Sequence, residues 1–81
     1  MNINTKIIEI IGWYGSIAII LAYALMSFKV ISSDDAIYQL LNLTGALGII
    51  TVSLKKRVHQ SVVLNTFWAV IAAVALVNIF I

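Results

Sequence analysis

The chain has 81 residues, of which 63% are apolar and 10% charged, with a net charge of +2 and no cysteine or proline. Soluble domains carry roughly a quarter charged residues, so this composition points away from one, and the length allows a single domain at most. Without cysteine there are no disulfides and no thiolate metal sites; the net charge is small, its placement matters more than its size, and no nucleic-acid partner is expected.

Three stretches lack any acidic or basic residue: Ile10–Phe28 (19 residues), Ala36–Leu54 (19) and Gln60–Ile81 (22). At about 1.5 Å of rise per residue, each helix covers about 30 Å, the thickness of the hydrocarbon layer. The expected fold is an all-α membrane protein, a bundle of three transmembrane helices over about 7–28, 34–54 and 60–80 within one domain, 1–81. Helix 1 opens the chain after a short N-terminal tail. Ala22-Tyr23-Ala24 mimics a signal-peptide cleavage site, but the apolar run continues to Phe28, which favours a retained spanning helix. Lys29 suits the C-terminal end of that helix. Ser32 or Ser33 would cap helix 2, with Asp34 and Asp35 in its first turn. Lys55-Lys56-Arg57 close helix 2, Val58-His59-Gln60 turns the chain, and helix 3 starts near Ser61.

Three crossings put the tail and the second loop on one side, with Lys6, Lys55, Lys56 and Arg57 there against Lys29 alone on the other. The positive-inside rule then predicts a cytoplasmic N-terminus in the inner membrane. Trp13, Tyr14 and Tyr38 fit interfacial belts.

Polar residues at membrane depth need protein partners. Helix rise predicts an outer layer with Tyr23 and Asn42, near Gln39 and Ser27, and an inner layer with Ser16, Asn65 and Trp68, near Thr51. Gly12, Ser16, Tyr23 and Ser27 align on helix 1. Asn42, Gly45, Ala46 and Gly48 cluster on helix 2, and Ser61, Asn65, Trp68, Ala69 and Ala72 on helix 3. These stripes are expected to face protein, with Gly12, Gly15, Gly45, Gly48, Ala69 and Ala72 as close-packing positions. Ile19, Ile20, Leu47, Ile50, Val70 and Val74 are expected to face lipid. Asn65, Trp68, Ser16, Tyr23 and Asn42 are the candidate solute-binding residues; their plainer role is to hold the bundle together through interhelical hydrogen bonds.

No Asp, Glu, Lys or Arg lies within the spans, and proton relays and ion-coupled carriers usually need one. There is no Ser/His/Asp set, phosphate loop or carboxylate pair, so no enzyme, cofactor or catalytic residue is expected. The single His59, beside three cations, reads as a loop residue rather than a metal ligand. The sequon Asn42-Leu43-Thr44 lies inside the expected slab.

Gly12-Trp13-Tyr14-Gly15, Leu21-Ala22-Tyr23 with Ser27-Phe28, Tyr38 to Ala46, and Ser61 to Asn65 with Trp68-Ala69 resemble a family of uncharacterised three-helix bacterial membrane proteins. More distantly, the chain is similar to the SemiSWEET half-transporters. That resemblance implies a spatial helix order of 1-3-2, a homodimer around a pocket for a small neutral solute, and Asn65 in Val62-Val63-Leu64-Asn65-Thr66 as a pocket residue. The chain departs from that family in lacking the Pro-Gln hinge near Leu25-Met26, in having Ile49 where the pocket tryptophan falls, and in its charge bias. The expected function is therefore a homodimeric half-transporter or solute binder, or alternatively a structural subunit of a larger membrane complex.

Overall fold

The computed structural model describes residues 5–81, leaving most of the N-terminal tail outside the described residues. It is all-helical: α1 spans Thr5–Ser27, α2 Ala36–Lys56 and α3 His59–Phe80. Each of the three is long and apolar enough to cross a membrane, and at about 1.5 Å per residue each measures about 32–35 Å. The described part of α1 already includes Thr5 and Lys6, ahead of the expected start at 7, with Lys6 exposed and Glu9 half-buried. α2 starts two residues late. Asp35 holds the N-cap position but makes no side-chain cap bond; its carboxylate instead accepts from the Ser32 amide at 2.8 Å, while the Ser32 hydroxyl accepts from the Asp34 amide at 3.1 Å. The serine and aspartates expected to start the helix thus hydrogen-bond one another in the connecting loop.

Both helix ends that precede loops close in the same way. Lys29 (φ 63°) and Arg57 (φ 58°) adopt the left-handed conformation. The Val30 amide donates to the Leu25 carbonyl at 2.9 Å and the Lys29 amide to Met26 at 3.0 Å; likewise Val58 donates to Ser53 at 2.9 Å and Arg57 to Leu54 at 3.3 Å. These are Schellman closures with a cation where glycine is usual. The backbone strain is offset in part by placing positive charge against the exposed carbonyls of the helix end.

α2 occupies the middle of the fold. It packs against α1 on one side and α3 on the other, and α1 and α3 have no close backbone approach. The order 1-3-2 implied by the SemiSWEET resemblance would put α3 in the middle, so the packing of this chain differs from it. The physical reason lies in the glycines. Gly12, Gly15, Gly45 and Gly48 are all buried between α1 and α2. An added Cβ at Gly48 would sit 2.7 Å from the Ile11 carbonyl oxygen, one at Gly45 2.9 Å from that of Gly15, and one at Gly15 would run into the Gly45 carbonyl. Without side chains the two backbones close up, and van der Waals packing supplies the attraction.

The buried face of α1 is Ile8, Gly12, Gly15, Ala18 and Ala22. It is rotated about one residue from the expected Gly12/Ser16/Tyr23/Ser27 stripe: Ser16 is half-buried at its edge, and Tyr23 and Ser27 are exposed. Small residues, not polar ones, set the face because backbone approach decides the helix rotation. On α3, Ala69 and Ala72 are buried against α2. Ile20, Leu47, Val70 and Val74 are exposed, whereas Ile19 and Ile50 are half-buried. Ile19 reaches 2.8 Å from the position a Gly45 Cβ would take, filling the gap that the missing side chain leaves.

Two stability predictions follow from this packing. Gly15→Ala and Gly48→Ala should each destabilise the fold by about 1–3 kcal/mol, since the added methyl meets backbone that cannot move aside. The three atoms nearest a Gly12 Cβ all belong to Val52, Cγ1 at 2.8 Å and Cβ at 2.9 Å among them, so Val52→Gly should relieve the Gly12→Ala clash where Val52→Ala, which keeps Cβ, does not; unfolding titrations in mixed micelles measure both. Lys29→Gly and Arg57→Gly should each raise stability in the same assay by about 1 kcal/mol, by relieving the left-handed conformation.

Candidate functional site

Polar side chains inside an apolar helix first turn to their own backbone. Thr44, Thr51 and Thr66 donate their hydroxyls to the carbonyls of Leu40, Leu47 and Val62 at 2.6–2.9 Å. Asn42 and Asn65 do the same with their amide nitrogens, to Tyr38 at 3.1 Å and Ser61 at 2.9 Å. Each bond spans four residues, the helix's own repeat, and each leaves the side-chain oxygen free to reach across to a neighbouring helix.

Across the α2–α3 face, Trp68 Nε1 donates to Asn42 Oδ1 at 3.3 Å. A groove of about 320 Å³ opens beside this pair, with Tyr38 and Gln39 from α2 and Ile71 and Ala72 from α3. Gln39 is buried and donates to the Ser33 carbonyl at 2.9 Å, tying α2 to the loop before it. Trp68 was expected beside Asn65 in the inner layer; its indole instead joins Asn42. Folding α2 back on α3 about the tight turn at 57–58 places Trp68 roughly 7 Å below the level of Asn42 by helix rise, a step that an indole side chain spans. Backbone depth alone does not reveal that reach.

A second polar group lies toward the other end of the same face. Ser53 Oγ donates to Ser61 Oγ at 2.8 Å, and Asn65 Nδ2 also approaches Ser61 Oγ at 3.3 Å. Ser16, Ser53 and Ser61 line a further groove of about 320 Å³, where all three helices contribute. Ser53 is buried, and it lies on the stripe of Asn42 and Ala46 at i+11 and i+7, a periodicity that could have singled it out. Ser16 has no hydrogen-bond partner among the described residues. Two more interhelical contacts escape sequence reasoning because they join distant positions: Tyr14 OH donates to Thr44 Oγ1 at 2.6 Å, the threonine hydrogen being committed to Leu40, and Lys56 Nζ meets Glu9 Oε2 at 2.6 Å.

The five candidate residues therefore separate. Asn42 and Trp68 are bonded to each other. Asn65 and Ser16 belong to the serine end, Asn65 through its bond to Ser61 and Ser16 as part of the groove wall. Tyr23 is 64% exposed on the flank of α1 and makes no hydrogen bond to Asn42. The described residues contain no group of three His, Cys, Asp or Glu side chains able to hold a metal ion.

The Asn65 oxygen stands out chemically. The residue is 8% exposed; its nitrogen is bonded, and its carbonyl oxygen accepts no hydrogen bond from the described residues. That oxygen is not sealed off from the surroundings. About six residues into α3, it would lie roughly 9 Å inside an apolar slab, where hydrocarbon offers no donor.

The chain belongs to an uncharacterised protein family, whose family model matches residues 8–81. No curated protein and no solved structure matches it.

The Trp68–Asn42 contact predicts a measurable coupling. Trp68→Phe, Asn42→Ala and the double variant should give an interaction energy of about 0.6–1.7 kcal/mol in a double-mutant cycle, the range for interhelical bonds in membranes. A coupling indistinguishable from zero would remove the bond as a stabilising element.

Proposed function

We propose that the chain is one half of a homodimeric inner-membrane protein that binds, and passes, a small neutral polar solute. One observation carries this reading: a buried asparagine in an apolar helix whose amide oxygen has no donor among the described residues. An uncharged hydroxyl or amide N–H matches it, whereas a full charge would need a counter-charge that the spans lack. Asn65 would accept from the solute. Asn42 and Trp68, hydrogen-bonded to each other on the same α2–α3 face, would form the polar and aromatic wall beyond it, with Ser16 near the opposite mouth. Tyr23, exposed on α1, would reach this space only from the second copy.

Three helices with α2 in the middle leave α1 and α3 parted, so one chain cannot close a path. A second copy would enclose it near the midplane, as in transporters built from repeats. The likeness to half-transporters is then one of size and principle, with its own helix order and no proline hinge. Lys6, Lys55, Lys56 and Arg57 would face the cytoplasm, with the N-terminus, by the positive-inside rule. The alternative of a structural subunit, docking through small-residue stripes, loses much of its surface, because all four glycines are already buried within the chain.

Proteoliposome uptake of radiolabelled polyols, sugars and neutral amides tests this. Asn65→Ala should lower flux of an accepted solute at least tenfold while cross-linking in the bilayer still traps a dimer. Loss of the dimer itself in that variant would make the oxygen an assembly contact instead. Stoichiometric recovery with a larger protein in mild detergent, without flux, would favour the subunit reading.

A further inference from the structure

We infer that the groove at the Glu9–Lys56 end holds the headgroup of a zwitterionic ethanolamine phospholipid. This site lies away from the Asn42–Trp68 pair; it shares Ser16 with the mouth of the proposed solute path, so its test reads lipid retention and not flux. The groove exists because α1 and α3 part over α2, so its floor is Val52 and Ser53 and its walls are Trp13 and Ser16 on one side and Ser61 on the other. The groove is open rather than enclosed, so in a bilayer it would be reachable from the side, as a lipid requires and a water-borne solute does not.

Its polarity is graded along the helix axis. Glu9 and Lys56 form an ion pair whose side chains are 39% and 56% exposed. Seven residues further along α1, about 10 Å deeper, stands Ser16, whose hydroxyl has no partner among the described residues. A charged mouth at headgroup level and an apolar trough with a free hydroxyl below it follow the order of a phospholipid: charged head, ester oxygens, acyl chain. The charges also match in sign. Lys56 carries three donors and the ion pair uses one, leaving the others for a phosphate. Glu9 meets Lys56 at Oε2, and a carboxylate with two acceptor oxygens has capacity left for a primary ammonium. The two salt-bridged side chains and the two lipid charges would form an alternating square. A choline headgroup lacks the N–H to donate, and a glycerol headgroup lacks the cation.

Native mass spectrometry of the detergent-purified protein, titrated with phosphatidylethanolamine, phosphatidylcholine and phosphatidylglycerol of matched chains, tests the site. Phosphatidylethanolamine should be retained at least fivefold over either competitor. Glu9→Gln should abolish its advantage over phosphatidylcholine, and Lys56→Gln should weaken all three. Ser16→Phe, which fills the trough, should lower retention of every lipid while circular dichroism stays helical. Equal retention of the three lipids, or a preference unchanged in Glu9→Gln, would overturn the assignment. Binding of free phosphoethanolamine as tight as that of the lipid would overturn it too, by making the ligand a soluble one.

Discussion

The contact between Gly15 on α1 and Gly45 and Gly48 on α2 is the constraint on which the rest of the fold depends. Helices this apolar on every side gain from backbones that approach closely, since lipid would offer no hydrophobic drive to bring them together. Four glycines on this one face, with Ala18, Ala22 and Ala46 buried beside them, draw α1 tightly onto α2. α3 then takes the other side of α2, joined to it by a turn of only two residues and seated on Ala69 and Ala72. The separation of α1 from α3 is a consequence of this arrangement, and it creates the open groove at the serine end.

Hydrogen bonding follows a second rule. Thr44, Thr51, Thr66, Asn42 and Asn65 each first bond the carbonyl four residues back, which makes these residues compatible with an apolar environment one helix at a time. Only what is left over links helices. For Asn42 the leftover oxygen meets Trp68; for Asn65 it meets nothing among the described residues. Two similar amides, each on its own helix, thus differ in one bond. That difference separates a structural link from an open acceptor, and it arises from which side chain stands opposite.

The ends of the bundle obey electrostatics more than packing. Lys29 and Arg57 close α1 and α2 in a conformation that favours glycine, in keeping with helix ends that attract cations and with loops that need charge to stay in water. Glu9 and Lys56 tie the start of α1 to the end of α2. An exposed pair of this kind contributes at most about 1 kcal/mol, so its weight lies in where it places opposite charges rather than in stability.

Sequence alone determined the number of helices, their approximate ends and the residue types that allow close approach, because length, charge-free runs and glycine content act locally and need no knowledge of neighbours. It also singled out Asn42, Asn65 and Trp68 as polar or aromatic residues in apolar runs. What it left open was rotation and partnership. The face of α1 turned by one residue, taking Tyr23 outward; the Trp68 indole crossed to Asn42 rather than joining Asn65; Ser53 met Ser61; and α2, not α3, took the centre. Those outcomes depend on how closely two backbones can approach and how far a side chain reaches between them, and such distances exist only once the helices have packed.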